Sequence, residues 1–387
     1  MSIICRTDKG WVISHYDYTK KIYTNVLSHS GVIDLTCNKN LFQILTPLMR
    51  DQEARNFIKN LSEKEYVLSR EVKMKKRPRS ASFDHEINII ELALKDLIVE
   101  ARKNGHLLHS PTEKDYLENN LLARSTADLY VTPHVVYDDC DSQSESSNRD
   151  SSFSGGNSSG DPQIAQIRGR SYVIPPNCSF VCSQVENIVK ELDGKQFDFI
   201  LIDPPWWNKS IRRKRAKLSN KGYSMLYNSE IEKIPISNFL KGSGLVGVWC
   251  TNAPSHIEAV TEQFFKSWGL KYVATWYWMK VTQGGEAIRP FGSQTEKRPY
   301  ERIMFGCSGD RRYKNPPPDM CVVSVPSAIH SQKPPLVEVL QEYLPDQPAC
   351  LELFARYLLP GWTSLGNQVI DLQHLSLYEP SLRTPTT

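Results

Sequence analysis

At 387 residues the chain is long enough for a real hydrophobic core and for two or three domains. Its 47 Lys and Arg against 43 Asp and Glu leave a net charge of +4, too little to mark a nucleic-acid binder by itself, so the distribution of charge matters more than the sum. The 9 cysteines form no CxxC pair, Cys178-x-x-x-Cys182 being the nearest spacing, and there is neither a secretory signal at Met1 nor an apolar run able to cross a bilayer. Reduced thiols, no metal and no membrane partner are therefore expected.

Residues 1–137 read as a mostly helical accessory domain. Ile87, Ile90, Leu94, Leu97 and Ala101 recur at helical spacing, with Asp84 placed to cap the helix and Gly105 to stop it. Such a stripe is more often core than a partner-binding face. Upstream lies Lys73-Met74-Lys75-Lys76-Arg77-Pro78-Arg79-Ser80, a run that suits nuclear import or phosphate contact, its bland alternative being a solvated loop. A nuclear location is expected, with the cytoplasm as the alternative. Residues 138–165 turn acidic and then Ser-, Asn- and Gly-rich, the composition of a flexible linker.

Residues 166–375 read as α/β, followed by a tail over 376–387. Strands are expected at Phe197–Ile202, Leu245–Cys250, Tyr272–Met279, Arg302–Phe305, Cys321–Val325 and Cys350–Phe354, with helices at His256–Trp268 and Pro335–Tyr343. This alternation predicts a doubly wound sheet covered on both faces. No G-x-G-x-x-G, P-loop or G-x-S-x-G follows any strand, which argues against nicotinamide, nucleoside-triphosphate and α/β-hydrolase chemistry.

The informative stretch is Phe197-Asp198-Phe199-Ile200-Leu201-Ile202-Asp203-Pro204-Pro205-Trp206. An apolar strand runs into Asp203, and the prolines end the ladder because neither donates a backbone hydrogen bond. At the carboxyl end of a sheet strand these parts suit a planar, amino-bearing ring. An exocyclic amine gives one hydrogen to the Asp203 carboxylate and the other to the Pro204 carbonyl, which turns its lone pair toward an electrophile. Trp206 or Tyr223 offers a stacking face, worth ~1–3 kcal/mol per base. The bare tripeptide would be an ordinary turn; the strand before it and the tryptophan after it favour the functional reading.

With this turn, and with Trp249-Cys250-Thr251-Asn252, Trp278-Met279-Lys280, His330-Ser331-Gln332-Lys333-Pro334-Pro335, Leu351-Glu352-Leu353-Phe354-Ala355-Arg356 and Gly361-Trp362-Thr363-Ser364-Leu365-Gly366-Asn367-Gln368, residues 167–372 resemble the messenger-RNA adenosine N6-methyltransferase family. The resemblance implies a circularly permuted, Rossmann-like class I methyltransferase domain using S-adenosylmethionine. It implies catalysis by Asp203, Pro204, Pro205 and Trp206, and cofactor binding by Gln184, Val185, Asp203, Ser331, Lys333, Arg356, Asn367 and Gln368. Lys333 matches the lysine that pairs with the cofactor carboxylate, and Asn367 and Gln368 match the adenosine-binding pair. It also implies acceptor contacts from Trp206, Asn208, Lys209, Tyr223, Asn252, Lys280 and Glu301. The chain departs from the family at Gln184, where an acidic residue is usual, and at Tyr357 and Leu358, where polar ribose contacts are usual.

Asn208-Lys209-Ser210, Phe354-Ala355-Arg356 and Pro360-Gly361-Trp362-Thr363-Ser364 are nearest to a subgroup acting on 2′-O-methyladenosine in spliceosomal small nuclear RNA. DNA adenine is the runner-up substrate, and a non-catalytic RNA-binding subunit is the rival from another class. Lys209, Arg212, Arg213, Lys214, Arg215, Lys217 and Lys221 start beside the catalytic turn and are flanked by Trp206, Trp207 and Tyr223. That pattern suits a grip on a nucleic-acid backbone, the alternative being a solvated mobile loop that acts as a lid. A monomer is expected.

Overall fold

The strand expected over Phe197–Ile202 forms with those bounds, and every residue of it is buried. Ile200 and Ile202 enter one core layer and Phe199 and Leu201 the other, so a strand covered on both faces must be apolar throughout. Asp198 is the exception. Its carboxylate pairs with Lys241 at 2.8 Å and accepts the Ala349 N–H at 2.9 Å, which ties the entries of both neighbouring strands to this one.

The computed structural model describes residues 2–48, 81–130, 152–207, 225–291 and 297–381. Among them the main sheet has 11 strands. In chain order these are β1 (Ile3–Thr7), β2 (Gly10–Ile13), β3 (Phe153–Asn157), β4 (Cys178–Cys182), β5 (Phe197–Ile202), β6 (Leu240–Cys250), β7 (Lys271–Lys280), β8 (Tyr300–Cys307), β9 (Cys321–Ser324), β10 (Cys350–Leu353) and β11 (Trp362–Leu365). Their spatial order is β1-β2-β9-β7-β8-β6-β5-β10-β11-β4-β3.

Strands β6, β5, β10, β11 and β4 are parallel neighbours, while β8 runs antiparallel between β6 and β7. From β5 the next strand lies on one side, and from β10 the next lies on the other. The order therefore reverses between β5 and β10, which opens a crevice at their carboxyl ends. This is the permuted Rossmann-like sheet that the sequence implied.

Several expectations change. The helix spans Ala81–Lys103, so Asp84 lies inside it rather than at its cap. Strands β1 and β2 belong to the main sheet through the pairing of β2 with β9, so the N-terminal residues extend the α/β unit. The tract expected to be a linker contains β3, and Gln163–Ile167 pairs with Arg170–Ile174. Within the expected tail, Tyr378–Pro380 pairs with Leu35–Cys37. The helix expected over His256–Trp268 is Pro254–Glu258 followed by a π-helical segment, Ala259–Phe264, and a last turn at Phe265–Ser267. The one expected over Pro335–Tyr343 shortens to Val337–Leu340 with a 3₁₀ turn after it. The basic run at 73–80 lies outside the described residues, as do residues 138–151 of the expected linker.

Composition misleads at β3 because its glycines have a packing role. A Cβ on Gly156 would lie 2.4 Å from the Cys178 carbonyl oxygen, and one on Gly155 would lie 2.7 Å from the Phe180 ring. Only residues without a side chain let this edge strand approach β4. Gly156→Ala is therefore expected to destabilise the fold by ~1–3 kcal/mol in urea unfolding. Gly160→Ala, with no atom within 4 Å of its added Cβ, should stay within ~0.5 kcal/mol of the native chain. Equal, negligible effects would mean that β3 is not seated on the sheet.

Candidate active site

The turn after β5 is fixed by its backbone. The Asp203 N–H donates to the Leu353 carbonyl of β10 at 3.3 Å, and the Pro204 carbonyl accepts the Trp206 N–H at 2.8 Å. The Pro205 carbonyl accepts from the Leu226 N–H at 2.9 Å, and the Trp207 N–H returns to the Leu226 carbonyl at 3.0 Å. Trp206 is only 9% exposed. Its indole N–H donates to the Trp249 carbonyl at 2.9 Å, and its ring stacks on His256 at 4.6 Å and on Phe264 at 6.0 Å. Trp206 is thus an anchor behind the turn, not the open stacking face expected from sequence. His256 is itself held by Thr251 at 2.7 Å, and burial lowers its pKa.

In front of the turn lies a chain of alternating charge. The Lys333 Nζ donates to Asp203 at 2.9 Å and lies 3.4 Å from Glu301, which also pairs with Lys280. Nζ sits 5.6 Å from the centre of the Trp249 ring, and that of Lys280 sits 4.3 Å from the Trp278 ring. Burial raises the pKa of Asp203, with Lys333 pulling the other way. Burial also disfavours the Lys333 ammonium, but Asp203 and Glu301 together raise its pKa. Burial acts against the Glu301 carboxylate too, yet Lys333 and Lys280 bring its pKa down to about 2. The structure thus brings Asp203, Lys333, Glu301 and Lys280 together in one row of ion pairs. An ammonium has three donors, so Lys333 retains one for a further anion.

On the cofactor side, Gln184 and Val185 follow β4, while Asn367 and Gln368 follow β11, all at the same sheet edge as Asp203. Gln184 is exposed, whereas Val185 and Gln368 are buried. Ser331 is exposed with φ of 66° and contacts the His330 ring at 2.6 Å. The Arg356 guanidinium donates to the His330 carbonyl at 2.9 Å. Phe354 leaves β10 with φ of 60°, a conformation non-glycine residues seldom hold away from functional turns. A Cβ on Gly366 would lie 2.9 Å from the Ala355 carbonyl oxygen, so this glycine lets the two loops close on each other.

The departures at Tyr357 and Leu358 have a structural cause. Leu358 is buried in the core cluster with Phe180 and Ile370. The Tyr357 hydroxyl donates to the Lys333 carbonyl at 3.3 Å, and its ring lies 6.0 Å from that of His15. Tyr357 thus packs the N-terminal segment against the loop that carries Lys333.

Sequence reasoning missed Glu352. It sits on β10, paired in register with Leu201 and Ser364, and is 3% exposed. Its Oε2 has no hydrogen-bond partner among the described residues, and the same holds for the Ser364 Oγ. Burial first, and the nearby Asp203 charge second, push its pKa up to about 8. A buried acceptor without a donor beside this crevice fits a group carrying hydroxyls and positive charge, as S-adenosylmethionine does. A charged residue between Leu351 and Leu353 was the available signal.

On the acceptor side, Asn252 is already engaged. Its amide N–H donates to the Tyr300 carbonyl at 2.6 Å and its oxygen accepts from the Arg302 Nε at 3.0 Å, so it braces the site instead of reaching out as expected. Asn208, Lys209, Arg212, Arg213, Lys214, Arg215 and Tyr223 lie outside the described residues. Cys178 and Cys182 are buried thiols.

An acidic turn at the switch point, a buried lysine against it and an unsatisfied carboxylate on the next strand define a class I methyltransferase-type site. Residues 197–368 match the family model MT-A70. The chain is 39% identical over 233 residues to the N(6)-adenine-specific methyltransferase METTL4 of Mus musculus, covering 57% of this chain and 48% of that protein. It is 29% identical over 370 residues to the DNA N6-methyl methyltransferase of Caenorhabditis elegans, covering 92% of this chain and 94% of that one. It is 31% identical over 221 residues to the N6-methyladenosine RNA methyltransferase MTA1 of Pyricularia oryzae, covering 54% and 57% respectively. The chain spans about half the length of the mouse relative. It carries an MT-A70 family domain.

Glu352 gives a pH signature. In the unfolded chain its carboxyl ionises near its ordinary 4.5; in the folded chain burial holds the proton on until about 8. The folded state binds the extra proton between those values, so stability falls as pH rises through that window. The limit is ~1.4 kcal/mol per pH unit. Melting temperatures of the ligand-free chain should drop between pH 5 and 8, and Glu352→Gln should flatten that drop. Parallel profiles for the two chains would remove Glu352 as its source.

Proposed function

We propose that this chain transfers a methyl group from S-adenosylmethionine to N6 of adenosine in RNA. Its acceptor would be 2′-O-methyladenosine of a spliceosomal small nuclear RNA, and it would act as a nuclear monomer. The single observation that carries the methyltransferase reading is Asp203, half-buried at the end of β5 beside the buried Lys333 and preset by the following prolines.

Bound cofactor supplies an electrophilic methyl group. Asp203 accepts one hydrogen of the adenine amine, and the Pro204 carbonyl, with one lone pair given to Trp206, accepts the other. The nitrogen lone pair is then directed out of the ring plane. After methylation the nitrogen is acidic, and the Asp203 carboxylate is placed to receive its proton. Lys333 keeps that carboxylate charged and, with its remaining donor, holds the cofactor carboxylate. Glu352 would hold the cationic or hydroxyl-bearing part, with Gln368 and Asn367 on the adenosine.

The choice of RNA rests on the sequence resemblance and on the name of the Pyricularia relative. The name of the Caenorhabditis relative, which aligns over nearly its whole length, favours DNA adenine as the second reading. Intact Asp203, Pro204, Pro205, Trp206 and Lys333 speak against a non-catalytic subunit.

The test is transfer from labelled S-adenosylmethionine to matched RNA and DNA oligomers carrying adenosine or 2′-O-methyladenosine. Transfer to the methylated RNA should exceed the others, and Asp203→Ala should lower it by at least ~100-fold. Preference for the DNA oligomer would select the second reading. Retained RNA binding with no transfer to any oligomer would select the binding subunit.

A further inference from the structure

The helix Ala81–Lys103 is packed beneath the catalytic edge. Its Ile90, Ala93, Leu97 and Ala101 share a core cluster with Met279 of β7, Tyr300 of β8 and Val323 of β9. Further along, Arg102 donates to the Gly284 carbonyl at 2.7 Å in the loop beyond β7. Near its start the helix sends a carboxylate into the same layer. Glu86 accepts from Arg302 through both oxygens, at 2.9 and 3.1 Å, from Arg298 at 3.2 Å and from the Tyr300 hydroxyl at 2.5 Å.

These contacts lead directly to the acceptor side. Arg302 is 5% exposed, and its Nε holds the Asn252 oxygen, while the Asn252 amide holds the Tyr300 carbonyl. Along β8 successive side chains alternate, so Tyr300 and Arg302 face the helix while Glu301 between them faces Lys333 and Lys280. Without Glu86, the buried Arg302 and the adjoining Arg298 would lose their carboxylate partner.

We propose that Glu86 is a positioning residue for the acceptor side of the site: through Arg302 and Tyr300 it fixes Asn252 and the segment bearing Glu301, so an N-terminal helix sets acceptor recognition. The proposal rests on the adenine-methyltransfer reading. It separates two halves of the site. Of the candidate cofactor residues, Gln184, Asn367 and Gln368 follow β4 and β11, on the other side of β5, and only Lys333 meets the acceptor half directly, through Glu301, while Asp203 holds it at the shorter distance. A merely structural glutamate would affect both halves alike.

The experiment compares the full chain with Glu86→Ala, Glu86→Gln, Asn252→Ala and the Glu86→Ala, Asn252→Ala pair. It measures kcat and KM for a single-stranded adenosine oligomer, together with S-adenosylhomocysteine affinity by calorimetry. Glu86→Ala should lower kcat/KM for the oligomer about 10- to 100-fold, with the cofactor-product affinity within about two-fold. Glu86→Gln should recover part of the loss, since an amide oxygen still accepts from Arg302 and Tyr300. The paired substitutions should cost less than the product of the single effects, because both act through Arg302. Equal losses on both sides of the site, unchanged acceptor kinetics or multiplicative effects would overturn the proposal. Should Glu86→Ala unfold, Glu86→Gln carries the same comparison. Should the native chain methylate no oligomer, the functional reading fails on its own, and oligomer binding by fluorescence anisotropy then decides the role of Glu86.

Discussion

Everything at the crevice depends on how one half-buried carboxylate, that of Asp203, is kept charged. Burial raises the pKa of Asp203, and an acid that already holds its proton could not take one from a methylated amine. Lys333 answers that, but an ammonium inside the protein needs more than one counter-charge. Glu301 supplies the second, and Lys280 in turn balances Glu301. The row ends near the face of Trp278, where the cation gains from the ring without another carboxylate. Each member sits where its neighbour needs it. Deleting Asp203 would leave the buried Lys333 ammonium without its nearest counter-charge, a loss of ~3–5 kcal/mol in comparable buried pairs.

That row can form only because the sheet delivers residues distant in sequence to one edge. Asp203 leaves β5, Lys280 ends β7 and Glu301 opens β8, whose antiparallel direction brings its start to the same side. The added strands continue this logic. Pairing of β2 with β9 extends the sheet on the acceptor side, and pairing of β3 with β4 closes it on the other. The described N-terminal strands therefore belong to the same sheet as the site. His15 against Tyr357 on one face and Glu86 against Arg302 on the other hold the two ends of the crevice to the same segment of chain.

The sequence made the centre of this architecture legible and its margins obscure. Phe197–Ile202 could be read because a strand buried on both faces has no room for polar residues, and Asp203 stood out against it. Lys333 and Glu301 came only through family resemblance, since nothing local separates them from surface charges. The edge strand β3 was hidden because its glycines satisfy a packing demand that composition reads as looseness. Glu86 was invisible for a different reason. It lies on a helix recognised only by its apolar stripe, and its partner Arg302 is 216 residues away. Trp206 was recognised, but its direction was not; an indole after a proline turn can face the ligand or the core, and only the Trp249 carbonyl decides.

The inward turn of Trp206 bears on how the site can work. If that ring were the stacking platform, the turn carrying Asp203 and Pro204 would shift whenever a base arrived or left. With the indole bonded to Trp249 and packed on His256 and Phe264, the turn is braced before any acceptor is present. Stacking must then come from rings outside the turn, and Trp207 against Tyr227 at 5.8 Å stands at its exit. The segment Ala259–Phe264 is π-helical, and its last residue, Phe264, stacks on the Trp206 ring, as does His256 of the helix before it. A fixed pair of acceptors needs no ordering on binding, so the binding energy of the rest of the acceptor can go into holding the amine in line.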